Sequence, residues 1–324
     1  MKKKVFVGVA LSALLVYLSV RGIDFRDVAD GFRTIDYGYL LPALALLLLM
    51  QVIRSVRWGV ILRPLAKIDQ LSIFSVTCVG FLAIVSLPAR LGELARPYLI
   101  AKKSGLKMSS ALATIIVERV FDSLAVLMIA AFVLFFIPLP TWLIRTSIVF
   151  FLASLALFTV ITLTIVKREA SLRILAALTG KLPPRIAEGL DRLIGHFIEG
   201  FRIMVDPTLL IAVTGLSFAT WLINALAIYL VFLAFGFQLP ATAAFVLMII
   251  LIIGIAIPTA PGFIGNWHYS CVLGLSLFGV PRAEALTFAI IYHALSIALT
   301  AVLGAAFLPF NRFSFADLRK QIRS

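Results

Sequence analysis

Cysteine, histidine and nucleotide-binding loops are scarce or missing in this chain, and each shortage argues against a class of protein. The two cysteines, Cys78 and Cys271, lie in apolar stretches and form no CxxC pair, so the sequence predicts neither a disulfide framework nor a cysteine-ligated zinc site. Only three histidines occur, none in an HExxH pattern, and there is no GxxxxGKS or GxxxxGKT loop. We therefore expect no metal, no cofactor and no ATP-hydrolysing site.

Charged residues are also scarce. They make up 14% of the chain, while 62% of the residues are hydrophobic; soluble domains are about a quarter charged. Several apolar runs reach the roughly 20 residues that a spanning helix needs, and a helix satisfies its own backbone in lipid. The sequence therefore predicts an all-α polytopic membrane protein, with residues 1–324 forming a single integral membrane domain. The N-terminal apolar run has no Ala-x-Ala-like cleavage site, so we expect it to be an uncleaved first span.

The apolar runs differ in length. Six are predicted as full spans, at about 5–20, 39–62, 109–137, 142–166, 208–235 and 283–310. Two others, 72–86 and 241–257, are short apolar pieces. The run 72–86 has fifteen residues, which at about 1.5 Å each fall short of a hydrocarbon core of about 30 Å. Each short run precedes a stretch rich in Pro and Gly. We predict six full spans plus two re-entrant or broken helical hairpins.

The net charge of +14 comes mainly from short loops between the spans, which favours an anionic membrane surface over nucleic acid as the partner. The positive-inside rule is best satisfied when both termini are cytoplasmic and each short run enters and leaves on one side. Segment 167–206 then lies inside. Its apolar residues recur at helical spacing after Pro183 and Pro184, which predicts an amphipathic helix, either in the membrane interface or as a cytoplasmic cap.

The two Pro/Gly stretches repeat each other's spacing. Pro88 precedes Gly92 by four residues, as Pro261 precedes Gly265. With the predicted topology these stretches open from opposite sides, which indicates an inverted repeat of about 72–137 and 241–310 and a binding site between its halves. The predicted backbone breaks are Pro88, Gly92, Pro258, Pro261, Gly262 and Gly265.

Polar residues cluster around both breaks, although a charge in mid-span costs about 2.5–3.5 kcal/mol on insertion scales. The candidate headgroup-binding residues are Arg90, Glu93, Arg96, Glu118, Arg119 and Asp122 in the first half, and Asn266, His268 and His293 in the second. Two interpretations stay open: a structural ion-pair cluster, or an arginine site for a phosphate headgroup. Arg54 and Arg57 are interpreted as side chains that snorkel to the interface.

Three motifs carry a resemblance to a known family. They are LPARLGELARPYLI (Leu87–Ile100), ERVFD (Glu118–Asp122) and PTAPGFIGNWH (Pro258–His268). The chain resembles the transmembrane region of the lysylphosphatidylglycerol synthase family, which includes the flippase domain of the multiple peptide resistance factor. The resemblance implies facing re-entrant elements and movement of a lipid between leaflets. Members often carry Glu at the position of His268 and Arg at that of His293. We expect no aminoacyl-transferase domain, so the resemblance does not imply lysyl transfer.

We therefore expect a lipid flippase or transporter of the cytoplasmic membrane whose partners are anionic or phosphate-bearing lipids and not nucleic acid; a homo-oligomer is left open. One alternative is a membrane-embedded enzyme that uses His268, His293 and Glu93 as acid–base groups. No nucleophile–base spacing favours that alternative, so we expect a protein that is not an enzyme. Another alternative is a scaffold that recruits a soluble partner through 167–206.

Overall fold

The computed structural model describes residues 2–87, 92–136, 140–166, 206–257 and 259–311, together with 195, 200 and 201. Over these residues the chain is helical and has no strand, which confirms the predicted all-α polytopic class. Pro88, Arg90 and Pro258 lie outside the described residues, as does nearly all of the predicted amphipathic segment 167–206.

Eleven α-helices are described. They are α1 (Lys2–Val20), α2 (Phe25–Arg33), α3 (Leu40–Leu62), α4 (Gln70–Ser86), α5 (Ala95–Ser104), α6 (Met108–Val133), α7 (Thr141–Val166), α8 (Pro207–Ala234), α9 (Ala241–Ala256), α10 (Asn266–Ser276) and α11 (Arg282–Asn311). Single 3₁₀ turns cover Tyr37–Tyr39 and Pro261–Phe263.

Four segments of the described chain are long and apolar enough to cross a membrane, at Tyr37–Leu62, Thr141–Val160, Pro207–Ala234 and Arg282–Asn311. A fifth is formed if Phe6–Val20 and Phe25–Arg33, which are bent by 78° at their junction, count as one span. Helix α6 has 26 residues but carries Glu118, Arg119 and Asp122 in its middle. The chain is therefore a multi-pass membrane protein, and the predicted total of six spans stays a prediction.

Helix ends follow local chemistry. Asp69 caps α4, because its carboxylate accepts the backbone N–H of Ser72 at 2.8 Å. Asp206 caps α8 in the same way, and Pro207, which has no N–H to leave unpaired, occupies the first turn of that helix. These polar caps explain why the apolar helices begin where they do.

Both predicted breaks are present. The chain leaves α4 at Ser86 and resumes helix as α5 at Ala95, and it leaves α9 at Ala256 and resumes as α10 at Asn266. Each pair packs together, α4 on α5 and α9 on α10. We call α4–α5 the first hairpin and α9–α10 the second hairpin. Their inversion across a membrane stays a prediction.

Two glycines allow these breaks. A Cβ atom on Gly92 would lie 2.2 Å from the carbonyl carbon of Ala83, so a side chain there would push the first break off α4. Gly265 has a φ of +97°, which favours glycine, and its Cβ would lie 2.5 Å from the carbonyl oxygen of Ser12 on α1.

The hairpins meet within a shared frame. Helix α3 packs along α8, α4 packs along α11, and α4 also contacts the turn Pro261–Phe263 in the second break. One apolar core lies around α8, α9 and α11 and a second around α3 to α6. The two breaks are about 170 residues apart in sequence. This packing places them next to each other, because the first hairpin contacts the turn in the second break.

Candidate functional site

A cavity of about 220 Å³ lies where the two hairpins meet. Most of its wall is apolar, with residues such as Leu47, Phe81, Met248, Ile252 and Phe263. Polar or amphipathic side chains also line it, namely Gln51, Arg54, Glu93, Arg119, Trp221, Asn224, Trp267, Tyr292, Ser296 and Thr300. An apolar concave wall with a few placed polar groups is the usual form of a small-molecule or lipid site.

Behind the cavity, Glu118 is held by buried arginines. Arg96 on α5 donates two parallel hydrogen bonds to it, Nη1 to Oε1 at 2.8 Å and Nη2 to Oε2 at 2.9 Å. Arg57 Nη2 lies 3.5 Å from Oε1. All three side chains are 1% exposed. This two-pronged geometry is the strong form of a carboxylate–arginine pair.

Asp122, one helical turn further along α6, is held by α3 and α8. Arg57 donates to both carboxylate oxygens, and Trp221 donates its Nε1–H to Oδ1 at 3.0 Å. Arg57 also donates to the Ser217 hydroxyl at 2.9 Å. Because Arg57 is buried among these groups, its interpretation as a snorkelling residue is wrong. We call Arg57, Arg96, Glu118 and Asp122 the buried ion-pair cluster.

Arg96 is accommodated by its neighbours. Its guanidinium lies 4.2 Å from the ring centre of Trp58, whose Nε1–H donates to Thr114 Oγ1 at 3.0 Å. Gly80 on α4 leaves the necessary space, since a Cβ there would lie 2.1 Å from the Arg96 Cγ. The first hairpin is thus built around a buried arginine.

Two further arginines face the cavity. The Arg119 side chain is 52% exposed, and its Nη atoms lie 3.3 Å from Glu118 and 3.7 Å from Asp122. Arg54 donates to Gln51 at 3.2 Å and lies over the rings of Phe81 and Trp221, at 5.2 and 5.9 Å. Arg54 makes no ion pair with any residue in the described parts of the chain.

The second break is held by neutral groups. The Asn266 amide donates to the carbonyls of Gly254 and Ile257, at 3.0 and 3.2 Å, and so ties the end of α9 to the start of α10. His293 Nε2 donates to the Gly262 carbonyl at 2.7 Å. The His268 ring packs edge-on against His293, with 4.9 Å between ring centres.

The nine predicted headgroup residues therefore fall into separate groups. Glu93 and Arg119 line the cavity, whereas Arg96, Glu118 and Asp122 form the cluster behind it. Asn266, His268 and His293 surround the second break and are not among the lining residues. Arg90 lies outside the described residues, and the headgroup-binding role of all nine stays a prediction.

Sequence reasoning missed several lining residues. From the sequence, Arg54 is interpreted with Arg57 as a snorkelling side chain, and Trp221 and Asn224 receive no role because they lie in an apolar span. Asn224 Nδ2 lies 3.2 Å from the Tyr292 hydroxyl, which joins α8 to α11 across the cavity. The available signal was the same for all: a polar side chain in mid-span is costly and needs a partner. In the described part of the chain, no three His, Cys, Asp or Glu side chains group together as metal ligands would.

Comparison with known proteins decides the family. The sequence profile described as the lysylphosphatidylglycerol synthase TM region matches residues 5–304. The chain belongs to this family. The predicted resemblance is therefore confirmed over almost the whole length.

The similar curated proteins share this breadth. A UPF0104 membrane protein of Methanothermobacter thermautotrophicus is 26% identical over 331 residues, covering 97% of this chain and 96% of that protein. A second one from the same organism is 27% identical over 319 residues, covering 94% and 92%. A UPF0104 membrane protein of Methanocaldococcus jannaschii is 26% identical over 225 residues, covering 68% and 89%. No solved structure shows significant similarity.

In this member of the lysylphosphatidylglycerol synthase TM family, the cavity can offer two guanidinium groups on an otherwise mainly apolar wall. Guanidinium is planar and permanently charged, and its paired N–H donors match the oxygens of a phosphate. The aromatic rings of Trp221 and Trp267 and the apolar residues of α9 supply contacts for hydrocarbon. The site is therefore suited chemically to an amphipathic anion.

Proposed function

We propose that this protein is a lipid flippase or transporter that moves a phosphate-bearing lipid between the leaflets of the cytoplasmic membrane. The headgroup binds in the cavity between the hairpins while the hydrocarbon tails stay in the bilayer. The observation that carries this proposal is the placement of Arg54 and Arg119 on the wall of a mainly apolar cavity inside a membrane domain.

The cost of those two charges supports a ligand. A cation at membrane depth is retained where it pairs or lines a wet path. Arg54 has only a neutral amide and two aromatic faces, and Arg119 shares carboxylates that Arg57 and Arg96 already satisfy. A lipid phosphate entering the cavity would give both guanidinium groups a full partner.

The arrangement of the hairpins supports movement rather than simple binding. Transporters commonly place the substrate between broken helices near the midplane, where rocking of one half against the other exposes it to each side. Here the end of α4 contacts the second break directly, next to the cavity. We further propose cytoplasmic termini and no enzymatic step, since His268 and His293 lie off the cavity wall.

The proposal is tested by reconstitution in liposomes with a trace of NBD-labelled phospholipid, reading inward and outward movement by dithionite quenching. We expect Arg119→Gln to slow movement at least about tenfold, equivalent to about 1.4 kcal/mol in the barrier. Its thermal stability should stay near wild type, because the buried ion-pair cluster remains paired without it.

Arg145→Gln is the matched control, since Arg145 is also an exposed arginine in a long helix, α7, but does not line the cavity. It should transport at the wild-type rate. A folded Arg119→Gln protein with wild-type rate would contradict the role of Arg119. Movement no faster than in protein-free liposomes would contradict the function itself.

A further inference from the structure

The charges around the cavity indicate which lipid headgroups it accepts. This inference rests on the proposed function. Four arginines, Arg54, Arg57, Arg96 and Arg119, surround two carboxylates, Glu118 and Asp122. The two most deeply buried arginines, Arg57 and Arg96, neutralise the two acids. The remaining two arginines give this end of the cavity a positive surplus.

The carboxylates have little capacity left. Both Glu118 oxygens accept from Arg96, and Oε1 also lies within reach of Arg57 and Arg119. Asp122 Oδ1 accepts from Arg57 and Trp221, and Oδ2 accepts from Arg57. Glu118 is 1% exposed and Asp122 7%. A carboxylate binds through at most about four lone-pair sites, so little room is left for an ammonium group while Arg119 stays in contact with both acids.

The third acid, Glu93, lines the cavity but already has an interaction partner. With Glu93 counted, two arginines and one acid line the cavity, a surplus of one positive charge. A lipid that carries an amine, such as an ethanolamine or lysyl ester, would add a further cation to that surplus. Like charges at close range disfavour binding, and more so where water is excluded.

The guanidinium groups of the two surplus arginines can turn toward an anion in the cavity. The contacts of Arg119 to Glu118 and Asp122 are longer than those of Arg96 to Glu118, so its guanidinium can turn toward the cavity while both acids stay paired. Arg54 gives up only its bond to Gln51. The aromatic rings of Phe81 and Trp221 keep its guanidinium in place without neutralising it.

We propose that the cavity selects lipids with a net negative phosphate headgroup and rejects those whose headgroup carries a compensating or excess amine. In a family described by its lysyl-modified lipid, this chain would act on the unmodified anionic phospholipid. The shared chemistry is a phosphate ester next to hydrocarbon, and both parts are required.

The test uses the full-length protein in phosphatidylcholine liposomes with one labelled lipid at a time: phosphatidylglycerol, phosphatidylcholine or lysylphosphatidylglycerol. We expect phosphatidylglycerol to move at least about tenfold faster than lysylphosphatidylglycerol. Arg54→Glu should reduce or reverse that ratio, whereas Arg145→Glu should keep it. Equal or faster movement of the lysyl lipid would overturn the inference while leaving transport intact.

A binding measurement separates this inference from the proposed function. The chain has four tryptophans: Trp221 and Trp267 line the cavity, Trp58 is fully buried and Trp142 is exposed. In a Trp142→Phe background, lipids with brominated chains should quench the two cavity tryptophans. Selective quenching by brominated phosphatidylglycerol would support charge selection. If no lipid moved in the liposomes at the same time, only the transport function would be overturned.

Competition by a soluble phosphate ester tests whether the site requires a lipid. Glycerol 3-phosphate at millimolar concentration should not compete with brominated phosphatidylglycerol, because it lacks the hydrocarbon that the apolar wall binds. Full competition would overturn the requirement for a lipid. Equal quenching by the anionic and lysyl lipids in folded protein would overturn charge selection.

Discussion

At the first break, between α4 and α5, the chain is held by guanidinium and carboxylate groups, whereas at the second, between α9 and α10, it is held by an amide and an imidazole. Arg96 in the first hairpin pairs with Glu118 on α6. Asn266 and His293 at the second break instead donate to main-chain carbonyls of the break and of the end of α9. The same helix–break–helix outline is therefore stabilised by two different chemistries.

This difference has consequences for both stability and binding. Removing one member of a buried ion pair leaves an uncompensated charge, which costs far more than the pair contributes. Removing a neutral donor costs less, because the freed carbonyl can find water or a neighbour. The first half also delivers the positive charge of the cavity, whereas the second delivers rings and apolar side chains, such as Trp267 and Phe263.

The largest effect should follow from Arg57→Met. This change leaves Asp122 with Trp221 and a distant Arg119 in a buried site, so we expect the free energy of unfolding to fall by about 3–5 kcal/mol. Unfolding in detergent by a mild denaturant, followed by helical circular dichroism, measures it.

Arg54→Met is the control from the same helix. It breaks a hydrogen bond and two cation–π contacts but strands no carboxylate, so the loss should be about 1 kcal/mol. Equal losses in the two variants would mean that the buried ion-pair cluster does not stabilise the first half more than its neighbours do.

A smaller loss is expected for Gly92→Ala. The added Cβ would lie 2.2 Å from the Ala83 carbonyl carbon, a backbone atom that moves only with the helix. Overpacking of this kind costs about 1–3 kcal/mol. Gly215→Ala on α8, where no atom lies within 4 Å of the new Cβ, should instead raise stability by about 0.5–1 kcal/mol, because alanine favours the helix interior more than glycine does. A harmless Gly92→Ala would contradict the close approach of the break to α4.

Both breaks could be predicted from sequence because they depend on local chemistry. Proline and glycine interrupt an apolar run wherever it lies in the fold. Thus the predicted short runs 72–86 and 241–257 correspond to α4 and α9. The family could also be predicted from the sequence, because its motifs are short and contiguous.

The division of the charges into cluster and cavity could not be predicted in this way. Arg57 meets Asp122 across 65 residues and Trp221 meets it across 99, and such partners are set by helix packing. Neighbouring positions also diverge, because successive residues turn by about 100° around a helix. Glu118 is therefore buried and Arg119 exposed. Arg54 and Arg57 are three residues apart and share a helix face, yet Arg54 lines the cavity and Arg57 does not.

At the second break, Asn266→Leu should be milder than the loss of Arg57. It removes two donors, but the Gly254 carbonyl keeps the backbone N–H of Ile257 at 3.2 Å. Both carbonyls lose the amide donor, but the Gly254 carbonyl keeps this backbone bond, so the cost should be about 1–2 kcal/mol. The same denaturation measurement applies. A loss as large as that of Arg57→Met would show that the two breaks are equally demanding.

The smallest changes in stability are expected at the two histidines, and the two should differ. His293→Leu removes the donor to the Gly262 carbonyl and should cost about 0.5–1.5 kcal/mol. His268 differs, because its Nδ1 is buried and has no hydrogen-bond partner among the described residues. His268→Leu replaces that unsatisfied atom with an apolar side chain of similar size, so stability should stay level or rise slightly. Thermal unfolding of both variants in one detergent gives the comparison, and His293→Gln, which retains an N–H donor, should recover part of the loss. If His268→Leu were the more destabilising change, His268 would have to stabilise the second break through a contact other than a hydrogen bond. The ring packing between His268 and His293 would then be that contact.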